Sequence, residues 1–172
     1  MEHPTLKGLW LLTSPMSLPA SLTQEKVRSL LDTARTMYDY ILIDSPAGLG
    51  AGFRLAVCGA DRALVVSTND ASSLRDAQHT VMELDRFPSG ALHLVVNRVR
   101  KKLLRQLHAT IDDAIDKAGL PLLGVVPEDD ALPLCMNRGV PILLADGQSA
   151  ATAYRNIAKR LQGERVPLLR IR

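Results

Sequence analysis

The chain has 172 residues, 47% of them hydrophobic, a length and apolar content that suit one domain with a substantial core and argue against two. Its 21 Lys and Arg against 18 Asp and Glu leave a net charge of +3, and aromatics make up only 3%, so the stacking surface of a nucleic-acid binder is missing and no nucleic-acid partner is expected. Cys58 and Cys135 have neither metal-ligand nor C-x-x-C spacing, which excludes a zinc site and a disulfide framework and points to reduced thiols in the cytoplasm.

Apolar segments alternate with amphipathic ones along the whole chain, the signature of βα units around a parallel sheet. Residues 9–12 read as a short first strand, followed by a Ser/Pro-rich loop through Leu22. Thr23, with Lys26 three residues on, starts a helix whose stripe of Val27, Leu30, Leu31 and Ala34 runs to Met37. Residues 38–44 read as a buried strand ending in Asp44, and residues 53–58 as a short helix. A second buried strand is expected over 62–67, then a helix over 72–84 with Leu74, Ala77, Val81 and Leu84 facing inward.

The next strand, 92–97, ends in Asn97, which places that residue on the same sheet edge as Asp44. An amphipathic helix over 103–118 stops at Gly119, and the last strand, 122–126, runs into Pro127-Glu128-Asp129. Short and long helices are expected over 131–137 and 149–161, the latter capped by Ser149 and ended by Gly163. The whole reads as an α/β fold of a single domain over residues 1–163, with a short basic and apolar tail over 164–172. The start Met1-Glu2-His3-Pro4 lacks a signal-peptide pattern and no apolar run reaches about 18 residues, so a chain free in the cytoplasm is expected.

Parallel strands point their carboxyl ends into the crevice where α/β proteins bind ligands. There Asp44 suits the water shell of Mg²⁺, an ion that keeps several waters and takes one or two carboxylates. A phosphate cradle of the form G-x-x-x-x-G-K-[ST] does not occur in the sequence, since no Gly is followed by Lys; Gly48, Gly50 and Gly52 read as a turn beside the phosphates. The basic concentrations Arg98 to Arg105 and Lys159 to Arg172 read as solvated faces. His79, His93 and His108 have no ligand-like spacing and are expected at the surface or hydrogen-bonded. Pro46 after Ser45 excludes a hydrolase nucleophile elbow.

Asp44-Ser45-Pro46-Ala47-Gly48, Ala60-Asp61-Arg62-Ala63, Ser72-Ser73-Leu74-Arg75-Asp76, Asn97-Arg98, Pro127-Glu128-Asp129 and Asn137-Arg138-Gly139-Val140-Pro141 follow one another in the order of a known family. The chain resembles the MinD branch of the ParA/MinD family of deviant Walker P-loop ATPases, which place the division septum. The resemblance implies a P-loop-type three-layer fold, ATP and Mg²⁺ as ligands, and Asp44 as the catalytic acidic residue near Mg²⁺ through water. It also implies that Ser45, Pro46, Ala47 and Gly48 sense the γ-phosphate, and that Asn97, Arg98, Pro127, Glu128 and Asp129 lie at the nucleotide, with Asn97 and Pro127 lining the adenine pocket.

Arg75 and Asp76 match the surface for MinC- and MinE-like division regulators, with a homodimer or a full-length MinD-like ATPase as the remaining partner. Compared with the family, the chain is expected to begin about one βαβ unit late, without the phosphate loop, and so not to hydrolyse ATP efficiently. Its tail is too short for the amphipathic membrane helix of the family, so membrane binding is expected to be weak or absent, with peripheral contact at the inner face of the cell membrane at most. Two further readings stand beside this one. One is a non-catalytic module that docks with a full-length relative; the other is a chromosome-partitioning or flagellar-placement relative, against which Asp-Ser-Pro-Ala-Gly and Pro-Glu-Asp favour the MinD branch.

Overall fold

Three apolar runs form the sheet: β1 (Ala63–Ser67), β2 (Leu92–Val99) and β3 (Leu122–Pro127), all parallel, in the order β1-β2-β3. The structure is a computed structural model that describes residues 1–4, 6–14, 18–19, 21–106, 110–145 and 149–169, divided into two compact units, Met1–Ala60 and Asp61–Arg172. His108 and the tail residues Arg170, Ile171 and Arg172 lie outside the described residues.

In the Asp61–Arg172 unit, helix α3 (Ala71–Glu83) crosses from β1 to β2, capped by Asp70, whose carboxylate accepts from Ser73 N at 3.0 Å. Leu74, Ala77 and Leu84 are buried as expected, while Val81 is half-buried. Between β2 and β3 the expected continuous helix is two pieces, α4 (Lys101–Gln106) and α5 (Ile111–Ala118). The physical reason is a fresh helix start at Thr110, which exchanges hydrogen bonds with Asp113 in a capping box. Gly119 closes α5 with a left-handed φ of 66°. Both crossovers are helical, as parallel pairing requires.

α3 packs on β1 and α5, and α5 packs on β2, which makes one helical layer. After β3 come α6 (Ala131–Asn137), a 3-10 turn over Ile142–Leu144 that the sequence reading missed, and α7 (Ser149–Leu161). α7 lays Ala150, Ala151, Ala153 and Ile157 against Val95, Leu123, Val126 and Ile142. Leu94 and Val96, which point away from Val95 by the two-residue strand period, are each 0% exposed. Two buried faces explain why β2 and β3 read as apolar runs, whereas β1 buries Val65 and Ser67 and leaves Leu64 and Val66 exposed. Arg160 donates to the carbonyls of Leu123 and Val166, and Leu169 packs on the α7 cluster, so the described part of the tail folds back on its own unit.

The Met1–Ala60 unit holds α1 (Gln24–Arg35) and α2 (Ala51–Val57), packed through Leu31, Phe53 and Cys58, the buried apolar side chains of the unit among the described residues. Thr23 caps α1 by accepting from Lys26 N at 3.4 Å. Gly59 lets the chain pass Leu31, whose Cδ1 would lie 2.6 Å from an added Cβ. Two expected strands are absent among the described residues. Residues 9–12 supply only a bridge from Trp10 to Glu2, and residues 38–44 are without regular pairing, with Leu42 88% exposed. Apolar alternation measures how well a segment fits a sheet; a strand also needs a neighbour to take its N–H and C=O groups.

Candidate nucleotide site

The carboxyl edge of the sheet gathers three strand ends. Register pairs Ser67 with Val96 and Val96 with Val125, so the residues just past them sit side by side: Thr68 to Asp70 after β1, Asn97 and Arg98 in β2, and Val126 and Pro127 in β3. Between Val96 and Val99, β2 advances three residues while β3 advances two, from Val125 to Pro127. The extra residue is a bulge at Asn97-Arg98, and Arg98 adopts a left-handed φ of 54°. Bulges of this kind re-aim side chains beside functional sites.

Asn97 Oδ1 accepts from Arg98 N at 2.9 Å, which fixes the carboxamide against the bulge. Arg98 Nη2 donates to Glu128 Oε1 at 3.1 Å, and Arg100 Nε pairs with Glu128 Oε2. Glu128 N in turn donates to Val99 O at 3.1 Å. Glu128 is thus bracketed by two arginines, and the bracket ties the bulged end of β2 to the end of β3. Arg100 was not read as a site residue; the only sequence signal was its place in the basic run after β2.

Asp129 has a different occupation. Its Oδ1 accepts from Ala131 N, and its Oδ2 from Ser149 Oγ and Ala150 N, each at 3.1 Å. These bonds, that from Ala150 N foremost, hold its carboxyl below the usual carboxylate range. The carboxylate serves the starts of α6 and α7. Asp70 is likewise engaged: the bond from Ser73 N, then those from Thr68 and Ser73 side chains, lower its pKa to about 2. Pro127 is buried at the end of β3.

The other expected residues lie in the Met1–Ala60 unit. Asp44 is exposed at the end of the unpaired segment, Ser45 Oγ donates to Pro46 O at 3.3 Å, and Ala47 and Gly48 follow in an exposed bend with Gly48 at φ 82°. Pro46 rests where a Cβ on Gly52 would stand, at 2.7 Å, so that glycine admits the turn against the start of α2. Arg75 and Asp76 are exposed on α3, beside exposed His79 and Met82. His93 departs from expectation, since its Nδ1 is buried without a partner among the described residues. No cluster of three or more His, Cys, Asp or Glu side chains suited to a metal occurs among the described residues.

A parallel sheet with helices on both faces is the α/β architecture of the P-loop-type fold. A family model described as cellulose biosynthesis protein BcsQ matches residues 15–161. The septum site-determining protein MinD of Synechocystis is 36% identical over 152 residues, covering 87% of this chain and 57% of its own length. MinD of Bacillus subtilis is 37% identical, covering 86% of this chain and 56% of its own.

Among solved structures, the Aquifex aeolicus MinD cell division protein superposes with a TM-score of 0.81 at 34% identity, covering 87% of this chain and 64% of that one. The Aquifex MinC:MinD complex gives the same TM-score and identity over 88% and 63%. Pyrococcus horikoshii MinD, solved with Mg-ADP, gives 0.69 at 26% identity over 81% and 56%. The chain belongs to the ParA/MinD family of ATPases and is MinD-like; it spans about 60% of the length of the curated relatives it matches.

Proposed function

We propose that this chain binds an adenine nucleotide with Mg²⁺ at the carboxyl edge of its sheet and serves the placement of the division septum. The observation that carries the reading is the convergence of Asn97 and Pro127 at the ends of adjacent parallel strands, with the bulge and the Arg98–Glu128–Arg100 bracket holding them there. Asn97 Nδ2 and the Pro127 ring face the base in this reading; for the Met1–Ala60 unit, the family resemblance supports Asp44 as the residue for the water shell of Mg²⁺ and Ser45 to Gly48 as the turn for the γ-phosphate. Mg²⁺ supplies neutralisation of phosphate charge when bound. Without a Gly-Lys-Ser/Thr cradle in these 172 residues, the chain by itself turns nucleotide over slowly.

The exposed face of α3 around Arg75 and Asp76 is the proposed surface for MinC- and MinE-like partners. A second copy or a longer relative is the proposed dimer partner. The chain is placed in the cytoplasm with weak or absent membrane attachment, and Leu169 of the described tail packs on the α7 cluster. No helix among the described residues is long and apolar enough to cross a membrane.

Calorimetric titration of ADP with and without Mg²⁺ tests the site. Binding is expected to strengthen with Mg²⁺; Asn97→Ala weakens it about tenfold, the equivalent of one well-placed hydrogen bond. Asp44→Ala removes the Mg²⁺ dependence. A chain that binds no nucleotide, or variants that bind as the wild type does, would overturn the proposal.

A further inference from the structure

Both polar atoms of the Asn69 carboxamide, Nδ2 and Oδ1, are buried with no hydrogen-bond partner among the described residues. Buried amides nearly always find partners, because leaving one unpaired forfeits its bonds to water without replacement. Asn69 lies two residues past the end of β1, at the edge that carries Asn97 and Pro127. Its polar neighbours are already committed. Asp70 takes Ser73 N and Thr68 Oγ1, and Asn97 Oδ1 takes Arg98 N.

We infer that Asn69 is the group that recognises the sugar of the bound nucleotide, by pairing with its vicinal hydroxyls. The inference rests on the nucleotide reading above. With the base held at the ends of β2 and β3, the next group of a nucleotide falls one strand over, about 4.8 Å away, and that strand is β1. A ribose diol both donates and accepts, and a carboxamide both accepts and donates, so one side chain satisfies the pair. In dinucleotide-binding folds the same task falls to a carboxylate at a strand end. Here the nearby carboxylate, Asp70, is occupied as a helix cap and the free amide stands beside it. Without a partner among the described residues, the amide has no hydrogen bond within the fold to give up to the sugar.

The test compares ADP with 2′-deoxy-ADP, both with Mg²⁺, on the full 172-residue chain and on Asn69→Ala, together with the melting temperature of each without nucleotide. The wild type is expected to prefer ADP about tenfold. Asn69→Ala should lower the affinity for ADP to that for the deoxy nucleotide and leave the latter unchanged, with no fall in melting temperature. A wild type indifferent to the 2′-hydroxyl overturns the inference while leaving the nucleotide site standing, and it does so whether or not the variant folds. Proportional loss of both nucleotides in Asn69→Ala, or a melting point lowered by several degrees, overturns it as well, because the amide then serves the fold. A wild type that binds neither nucleotide overturns this inference together with the proposed function.

Discussion

Asp70 couples the site edge to the stability of the fold. Its pKa is lowered from 3.8 to about 2 by the bond from Ser73 N, then by those from Thr68 and Ser73 side chains. The folded state therefore favours the carboxylate. Its contribution is fully present above the unfolded value near pH 3.8 and is lost as the pH falls toward 2. Asp70→Ala is expected to cost about 0.5–2 kcal/mol at neutral pH, the usual loss for a helix cap. Asp70→Asn keeps a capping oxygen but does not titrate, so its urea midpoint should converge on that of the wild type between pH 4 and 2. The places of Asn97 and Pro127 at the carboxyl edge of the sheet were legible because an apolar run leads to each, although β2 continues past Asn97 through its bulge to Val99. The left-handed turn at Arg98 and the capping role of Asp129 were not, since the first depends on strand register and the second joins groups 20 and 21 residues apart.

The strands were readable as apolar runs, from burial on two faces in β2 and β3 and from composition alone in β1, whose Leu64 and Val66 are exposed. The strands expected over 62–67, 92–97 and 122–126 appear as Ala63–Ser67, Leu92–Val99 and Leu122–Pro127, and the helices over 131–137 and 149–161 appear with those bounds. Residues 38–44 failed as a strand because pairing is a property of two segments and no periodicity reports the second. The break at Thr110 was missed because Asp113 stood where a capping box is usually sought in Glu or Gln. Gly124 gives the tightest contact between elements: an added Cβ would lie 2.4 Å from Ile157 Cγ1 and 2.9 Å from Cδ1. Gly124→Ala should destabilise by about 1–3 kcal/mol through overpacking of α7 on β3. Paired with Ile157→Ala, which removes the opposing atoms, it should cost less than the two single changes summed, as denaturant midpoints of the four proteins would reveal.

At the scale of the molecule, buried side chains concentrate in Asp61–Arg172, while Met1–Ala60 buries Leu31, Phe53 and Cys58 among its described residues. Amide exchange should follow that division. Protection is expected to be high across β2 and β3 and low over residues 38–50, whose backbone is outside any ladder; comparable protection in both regions would contradict the burial pattern. The sheet order β1-β2-β3 repeats the order of synthesis, so each new strand meets its neighbour as soon as it leaves the ribosome. The face of the sheet carrying Val95 fares differently. Its cover, α7, ends 34 residues after β3, at Leu161 against Pro127, an interval of about 2–7 s at ordinary rates of translation. For that time the nascent chain presents a finished apolar surface with nothing yet made to close it, and a chaperone waiting at the tunnel exit has its binding site before the protein has its core.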